Sequence, residues 1–209
     1  MKILNLSKDK IIDNQKNMFS DDLKRQKRTA LRENYRDEDI NIIKKLGNYK
    51  SVLCIGARHD SEVKSFLNFG YSVKAIDIAV ESELIERKDI TELEGYETFD
   101  ISFCSHVLEH VYDPLKVLRI IRTITKKIVW IILPICPSNK KGPTIKHPTL
   151  YEIMKNVRDE DIFSNKEIYK EIWNDFNELE PYEILYGKFR PGITDKYEVV
   201  FALNLLGDI

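Results

Sequence analysis

The sequence predicts an α/β fold: a doubly wound, mostly parallel sheet with an N-terminal helical extension and a C-terminal antiparallel hairpin. Three observations carry this. Short apolar runs that end in glycine or an acid alternate with segments of helical periodicity between residues 51 and 133. A long helix-patterned stretch precedes them, and two strand-like runs around a Pro-Gly turn follow them. The organisation predicted is a helical extension over 1–48 and the sheet domain over 49–209, with 135–180 as a lid or insertion region.

The elements follow in order. Residues 1–20 are a polar arm. From Ser20 to Leu46 the apolar positions Leu23, Ala30, Leu31, Tyr35, Ile40, Ile43 and Leu46 recur at helical intervals. Ser20 suits the N-cap, Asp21 and Asp22 the first turn, and Gly47 the C-cap. The basic run KRQKRTALRENYR within it reads as a solvated helix face. Ser51 to Gly56 is a buried strand running into a turn, and Asp60 to Phe69 a helix with Val63, Phe66 and Leu67 on one face. Tyr71 to Asp77 is a second strand, Leu84 to Arg87 a short third, and Phe99 to Cys104 a fourth. Pro114 to Thr125 is helical, and Ile128 to Leu133, apolar throughout, is an interior fifth strand. Beyond a Pro-, Gly- and Lys-containing loop, 149–158 and 165–176 are helix-patterned. Tyr182 to Tyr186 and Lys196 to Leu205 are strands. Alternating strands and helices imply right-handed crossovers and a sheet covered on both faces.

Composition narrows the function. The 209 residues carry 33 basic and 34 acidic side chains, a net charge of -1, which disfavours a dedicated or sequence-specific nucleic-acid binder. The longest apolar run, Ile128 to Ile135, falls far short of the ~20 residues of a membrane span, and the start lacks a signal-peptide apolar core. A soluble, cytoplasmic protein is expected. Cys54, Cys104 and Cys136 form neither a disulfide framework nor a metal-binding pair, and read as buried thiols.

In an open parallel sheet, ligands sit beyond the carboxyl ends of the strands. The residues there are Gly56, Ala57, Arg58, His59 and Asp60, then Asp77 and Ile78, Asp89 and Ile90, and the segment from Ser105 to His110. Asp77 ends the second strand about 20 residues after the glycine turn, where a carboxylate can accept both hydroxyls of a ribose. Asp89 is placed to accept from an adenine amino group. The turn lacks the GxGxxG of a pyrophosphate site, and Asp60 and Glu62 would repel a pyrophosphate, which weighs against a nicotinamide enzyme. Those acids suit a ligand ammonium or sulfonium.

The order VLCIG, AIDI, FDISFCSHVLEHVYDP and IVWIILP, over roughly Val52 to Pro134, resembles class I S-adenosylmethionine-dependent methyltransferases of the small-molecule branch. The resemblance implies a Rossmann-like fold, S-adenosylmethionine as cofactor and methyl transfer to a small molecule, sugar or lipid head group. It implies cofactor contacts at Gly56 and Ala57, at Asp77 with Ile78 on the ribose, and at Asp89 with Ile90 near adenine. Ser105 and His106 would line the floor near the methionine part. The chain departs from the family in its first turn: Cys54 stands where an acid is usual, and Arg58 and Asp60 replace later glycines. Asp60 or Arg58 would then anchor the methionine ammonium or carboxylate. The same departure leaves a non-catalytic binding or scaffolding module as the alternative.

Methyl transfer is a direct displacement, in which alignment of the reacting groups contributes up to ~7–11 kcal/mol. A base is needed only for a hydroxyl or protonated-amine acceptor, and His106, His110 and His147 are the candidates. His106 and His110 also frame an HxxEH motif, a zinc-hydrolase signature when it lies inside a helix. Here it follows a strand, and no metal is expected. The Asn/Asp-Pro-Pro-aromatic turn of nucleic-acid amino-methyltransferases is replaced by Ser105 to Leu108. Arg25, Arg28, Arg32 and Lys146 are candidates for holding an anionic acceptor under a lid formed by the N-terminal helix and the 135–180 region. A homodimer through that helix is the competing use of it. Trp130, Tyr112 and Tyr151 read as packing residues.

Overall fold

The computed structural model describes residues 22–108, 111, 114–135, 182–191 and 197–205. Helix α1 (Asp22–Leu46) leads into β1 (Ser51–Ile55), α2 (Asp60–Asn68), β2 (Ser72–Asp77) and β3 (Glu86–Arg87). A single 3₁₀ turn (Ile90–Glu92) precedes β4 (Phe99–Ser105), α3 (Pro114–Thr123), β5 (Thr125–Ile135), β6 (Tyr182–Pro191) and β7 (Tyr197–Leu205). The strands form one sheet in the order β3-β2-β1-β4-β5-β7-β6. β1 to β5 are parallel, and β7 runs antiparallel to both β5 and β6.

Alternation along the strands divides the core. Leu53 and Ile55 face one way and pack with Ile76, Leu118, Ile121, Ile131 and Phe201 beneath α3. Val52 and Cys54 face the other way, with Val63, Phe66, Phe103, Trp130 and Val200 beneath α1 and α2. Phe66 meets Phe103 and Tyr71 edge-on, at ring separations of 5.0 and 5.7 Å. Trp130 is fully buried and stacked on Tyr186, a packing role as expected, and Cys54 and Cys104 are buried free thiols. Ile40 and Ile43 of α1 enter the same core, so the C-terminal part of the helix packs on its own sheet.

Several expectations are corrected: α3 ends at Thr123, with Thr125 already in β5, and β6 runs on past Tyr186 to Pro191. The fifth strand runs from Thr125 to Ile135, longer than its apolar run, because β7 pairs along it from Ile128↔Asn204 to Ile135↔Tyr197. The charged run in α1 is not simply a solvated face. Within it Arg36 is 8% exposed, against Ser61 and Glu62 of α2, and Arg32 is half-buried; Asp39, just beyond it, is buried. Residues 1–20, the 136–180 region with its two helix-patterned segments, Cys136, Tyr112 and Tyr151 lie outside the described residues.

Candidate functional site

β1, β2 and β4 lie side by side in register, Ile55 opposite Ile76 and Cys104, so their carboxyl ends form one edge. Gly56, Asp77 and the Ser105-His106 pair stand on it. Gly56 has a φ of 69°, a left-handed conformation, and a Cβ there would come within 2.4 Å of a Val107 methyl carbon. Both conditions demand glycine. The Gly56 and Ala57 amides donate to the Ile76 carbonyl, at 2.8 and 3.1 Å, which folds the turn tightly against the end of β2. Arg58 is half-buried in the turn, and the Ser82 hydroxyl donates to Asp60 Oδ1 over 2.6 Å, tying the start of α2 to the loop after β2.

Asp77 is 6% exposed. Its Oδ1 accepts from the amides of Ala79 and Val80, at 2.7 and 3.0 Å, the self-capped turn an aspartate forms readily. One carboxylate oxygen thus shapes the loop that holds Ile78, which is half-buried. Asp89 works similarly: its Oδ1 accepts from the Thr91 amide at 3.0 Å and caps the 3₁₀ turn, while Ile90 is buried beneath it.

Ser105 closes β4 opposite Ile132 and is half-buried. His106 follows with a φ of 56°, the one non-glycine residue with positive φ among the described residues. Such a conformation in a non-glycine residue is a frequent mark of a functional site. It also keeps His106 out of any helix, so the helical geometry required of a zinc HxxEH motif is not formed at this residue; α3 begins only at Pro114. No cluster of three metal-ligating side chains is found among the described residues. His110 and His147 lie outside them.

The sequence reading missed what His106 touches. Its Nε2 lies 3.0 Å from Glu198 Oε1, on β7, and Glu198 is 1% exposed. Arg190 of β6 donates from Nε to Glu198 Oε2 over 3.1 Å and from its Nη1 to Asp39 Oδ1 of α1 over 2.8 Å. The guanidinium lies over the ring of Tyr35, 4.5 Å from its centroid. Burial pushes the Glu198 carboxyl up, but His106 and Arg190 outweigh it and hold it below the usual range. For Asp39 burial wins over Arg190, and its pKa rises to about 7. The available signal was a charged residue at the head of an apolar strand, Glu198 in KYEVVF, with Arg190 just before the hairpin turn.

A second charged group lies beside the glycine turn. Glu62 of α2 is buried and 3.8 Å from Arg36, whose Nη1 is 3.5 Å from the Ser61 hydroxyl. Burial raises Glu62 to about 7 against the pull of Arg36 and Arg32. Arg32 is itself held below its ordinary value by burial and by Arg58. The acid expected to face a ligand cation is thus paired with the N-terminal helix instead. α1 reaches this edge through Arg32, Arg36 and Asp39.

The donor set suits an adenosyl cofactor: a glycine turn that excludes a Cβ, and a buried carboxylate ending β2 with only Oδ1 bound to its own loop. No helix among the described residues is long and apolar enough to cross a membrane. The methyltransferase-domain family matches residues 53–133. No curated protein sequence matches the chain significantly.

Among solved structures, the fold is similar to magnesium protoporphyrin IX methyltransferase from Synechocystis PCC 6803 with bound S-adenosylmethionine. That match has a TM-score of 0.55 and 12% identity, over 83% of this chain and 79% of that one. It is similar also to the N-methyltransferase NodS from Bradyrhizobium japonicum WM9 in complex with S-adenosylhomocysteine (TM-score 0.54, 11% identity, 88% and 87% covered). A third is the 1,6-didemethyltoxoflavin-N1-methyltransferase of Burkholderia thailandensis with its substrate and S-adenosylhomocysteine (TM-score 0.54, 15% identity, 77% and 73% covered). At these identities the likeness speaks for the fold, and the family match speaks for the domain on it. Over residues 53–133 the chain matches the methyltransferase-domain family, on a fold similar to that of enzymes solved with S-adenosylmethionine or S-adenosylhomocysteine.

Proposed function

We propose that the chain transfers a methyl group from S-adenosylmethionine to a small-molecule acceptor held at the carboxyl edge of the sheet, beneath α1. The observation that carries this reading is the alignment of Gly56, Asp77 and His106 on adjacent strand ends within the matched domain. In this reading Asp77 accepts from the ribose, Asp89 and Ile90 flank the adenine, and Ile78 packs beside the ring system. Ser105 and His106 bound the methionine side, with Arg58 or Asp60 near its charged end.

When bound, the cofactor supplies an electrophilic methyl on a sulfonium. The chain's own work is to align the acceptor, to exclude water with α1, and to take a proton where the acceptor is a hydroxyl or an ammonium. In this reading His106 takes that proton; His110 and His147 are further candidates from the sequence. The crowd of Arg32, Arg36 and Arg58 at the same edge favours an acceptor bearing a carboxylate or phosphate. Residues 135–180 would complete the enclosure.

Calorimetric titration with S-adenosylmethionine and S-adenosylhomocysteine tests the reading. One-site binding with a rise in melting temperature is expected. Absence of both heat and thermal shift would instead favour a non-catalytic module on the same fold.

A further inference from the structure

We infer that Glu62 of α2 and Arg32 of α1 form a clamp for an α-amino-acid group, the ammonium and carboxylate that end the methionine part of the cofactor. This rests on the methyl-transfer reading above and deepens it, because the N-terminal helix then belongs to the cofactor site. Two observations carry the clamp, one on each charge. Glu62 is 9% exposed, its Oε1 is sealed from solvent, and neither of its carboxylate oxygens accepts a hydrogen bond among the described residues. Its contact with Arg36, at 3.8 Å, is beyond hydrogen-bond reach. Arg32 is half-buried, and its guanidinium makes no hydrogen bond or ion pair among the described residues.

A buried carboxylate and a guanidinium left without hydrogen bonds are costly, and such groups are rare enough in native proteins to call for a partner. The two lie near enough for each to act on the other's charge, yet they are not bonded to one another. Their neighbours locate the gap. Glu62 acts on Cys54 of β1, while Asp77 at the end of β2 and His106 after β4 act on Glu62. Arg32 is acted on by Arg58 of the glycine turn. The unfilled acid and the unfilled cation thus stand at the strand ends that present Gly56 and Asp77. A ligand group with one positive and one negative end answers both at once. Its ammonium donates to Glu62, and its carboxylate accepts the forked N–H donors of Arg32. A simple anion would leave Glu62 unanswered, and a simple cation would leave Arg32 so, whereas an α-amino-acid group carries both charges on one carbon. The last side-chain torsion of a glutamate is broad, so turning the sealed oxygen of Glu62 toward the ligand costs little.

Calorimetric titration of the full chain with S-adenosylhomocysteine, and with methylthioadenosine, which lacks the amino-acid end, tests the clamp. The intact protein should bind S-adenosylhomocysteine at least about tenfold more tightly than methylthioadenosine. Arg32→Gln and Glu62→Gln should each weaken S-adenosylhomocysteine about tenfold or more and leave methylthioadenosine within about twofold. Neither substitution removes a side-chain hydrogen bond among the described residues, so both variants should keep the parent melting transition. Equal affinity for the two ligands in the intact protein overturns the clamp with no variant needed. An unchanged S-adenosylhomocysteine affinity in folded Arg32→Gln or Glu62→Gln overturns it as well, and is the result expected if the pair served an amino-acid acceptor. A parallel loss of both ligands overturns it in favour of a structural role. If neither ligand binds the intact protein, the methyl-transfer reading fails and takes the clamp with it; if both bind and the variants do not separate them, the clamp fails alone.

Discussion

The two halves of the sheet's carboxyl edge are built differently. On the β1-β2-β3 side, three acids are held by short-range contacts, Asp77 by Ala79 and Val80, Asp89 by Thr91, and Asp60 by Ser82 across a single crossover, while Glu62 beside the glycine turn is paired with Arg36 of α1. On the β4-β7-β6 side the partners are distant: His106 and Glu198 are 92 residues apart, and Asp39 and Arg190 are 151 apart. Asp77 and Asp89 on the first side form self-contained turns, each at its own strand end. The second exists only once α1, the hairpin and β4 have all assembled.

The comparison breaks most severely if α1 is removed. Deleting residues 1–46 strips Ile40 and Ile43 from the core, at about 1.5–3 kcal/mol each, and takes Asp39 from Arg190, which keeps Glu198. The lost burial alone is comparable with the lower end of an ordinary domain's stability of about 5–15 kcal/mol. The truncated chain should lose its cooperative thermal transition. A truncated chain that melts cooperatively near the parent temperature would make α1 an accessory lid and not a part of the core.

A smaller effect sharpens the local side. Asp77→Ala should weaken S-adenosylhomocysteine binding by more than about tenfold, since ligand hydroxyls left unpaired cost about 1–3 kcal/mol. The Ala79 and Val80 amides lose their acceptor as well. Calorimetry on protein that retains its melting transition checks this, and unchanged affinity would remove Asp77 from the site.

The smallest effect is in pH. Asp39 and Glu62 both have carboxyls raised to about 7 by burial. The folded state therefore binds protons that the unfolded chain has already released. Their stabilising contribution is full below about pH 4 and is lost as pH rises through about 7. Melting temperatures followed from pH 5 to pH 8 should show a fall that Asp39→Asn makes shallower. An identical slope in that variant would mean that Asp39 is ionised throughout, held by Arg190.

Much of the fold was legible. Strand ends at Ile55, Asp77 and Arg87 follow from apolar runs closed by glycine, an acid or a turn, and the interior of β5 from an unbroken apolar run. The positions of Gly56, Asp77 and Asp89 were legible for the same reason: each lies just after a strand, and strand ends in a parallel sheet share one edge. The burial of Arg36 and Asp39 was not legible, because helical periodicity marks apolar faces and says nothing of a charged residue that turns inward toward a partner.

Taken alone, the chain's local pattern determined the element order, the parallel sheet, the glycine at position 56 and the acids that end the strands. These depend on backbone sterics and on periodicities of two and 3.6 residues, which neighbours in sequence express. Tertiary structure alone decided that β7 inserts between β5 and β6, that Ile40 and Ile43 of α1 pack on the chain's own sheet, and that Glu198 and Arg190 stand behind His106. Those outcomes are pairings of buried charges and strand edges across long separations. A buried charge is tolerated only where its partner arrives, and no window of sequence contains both.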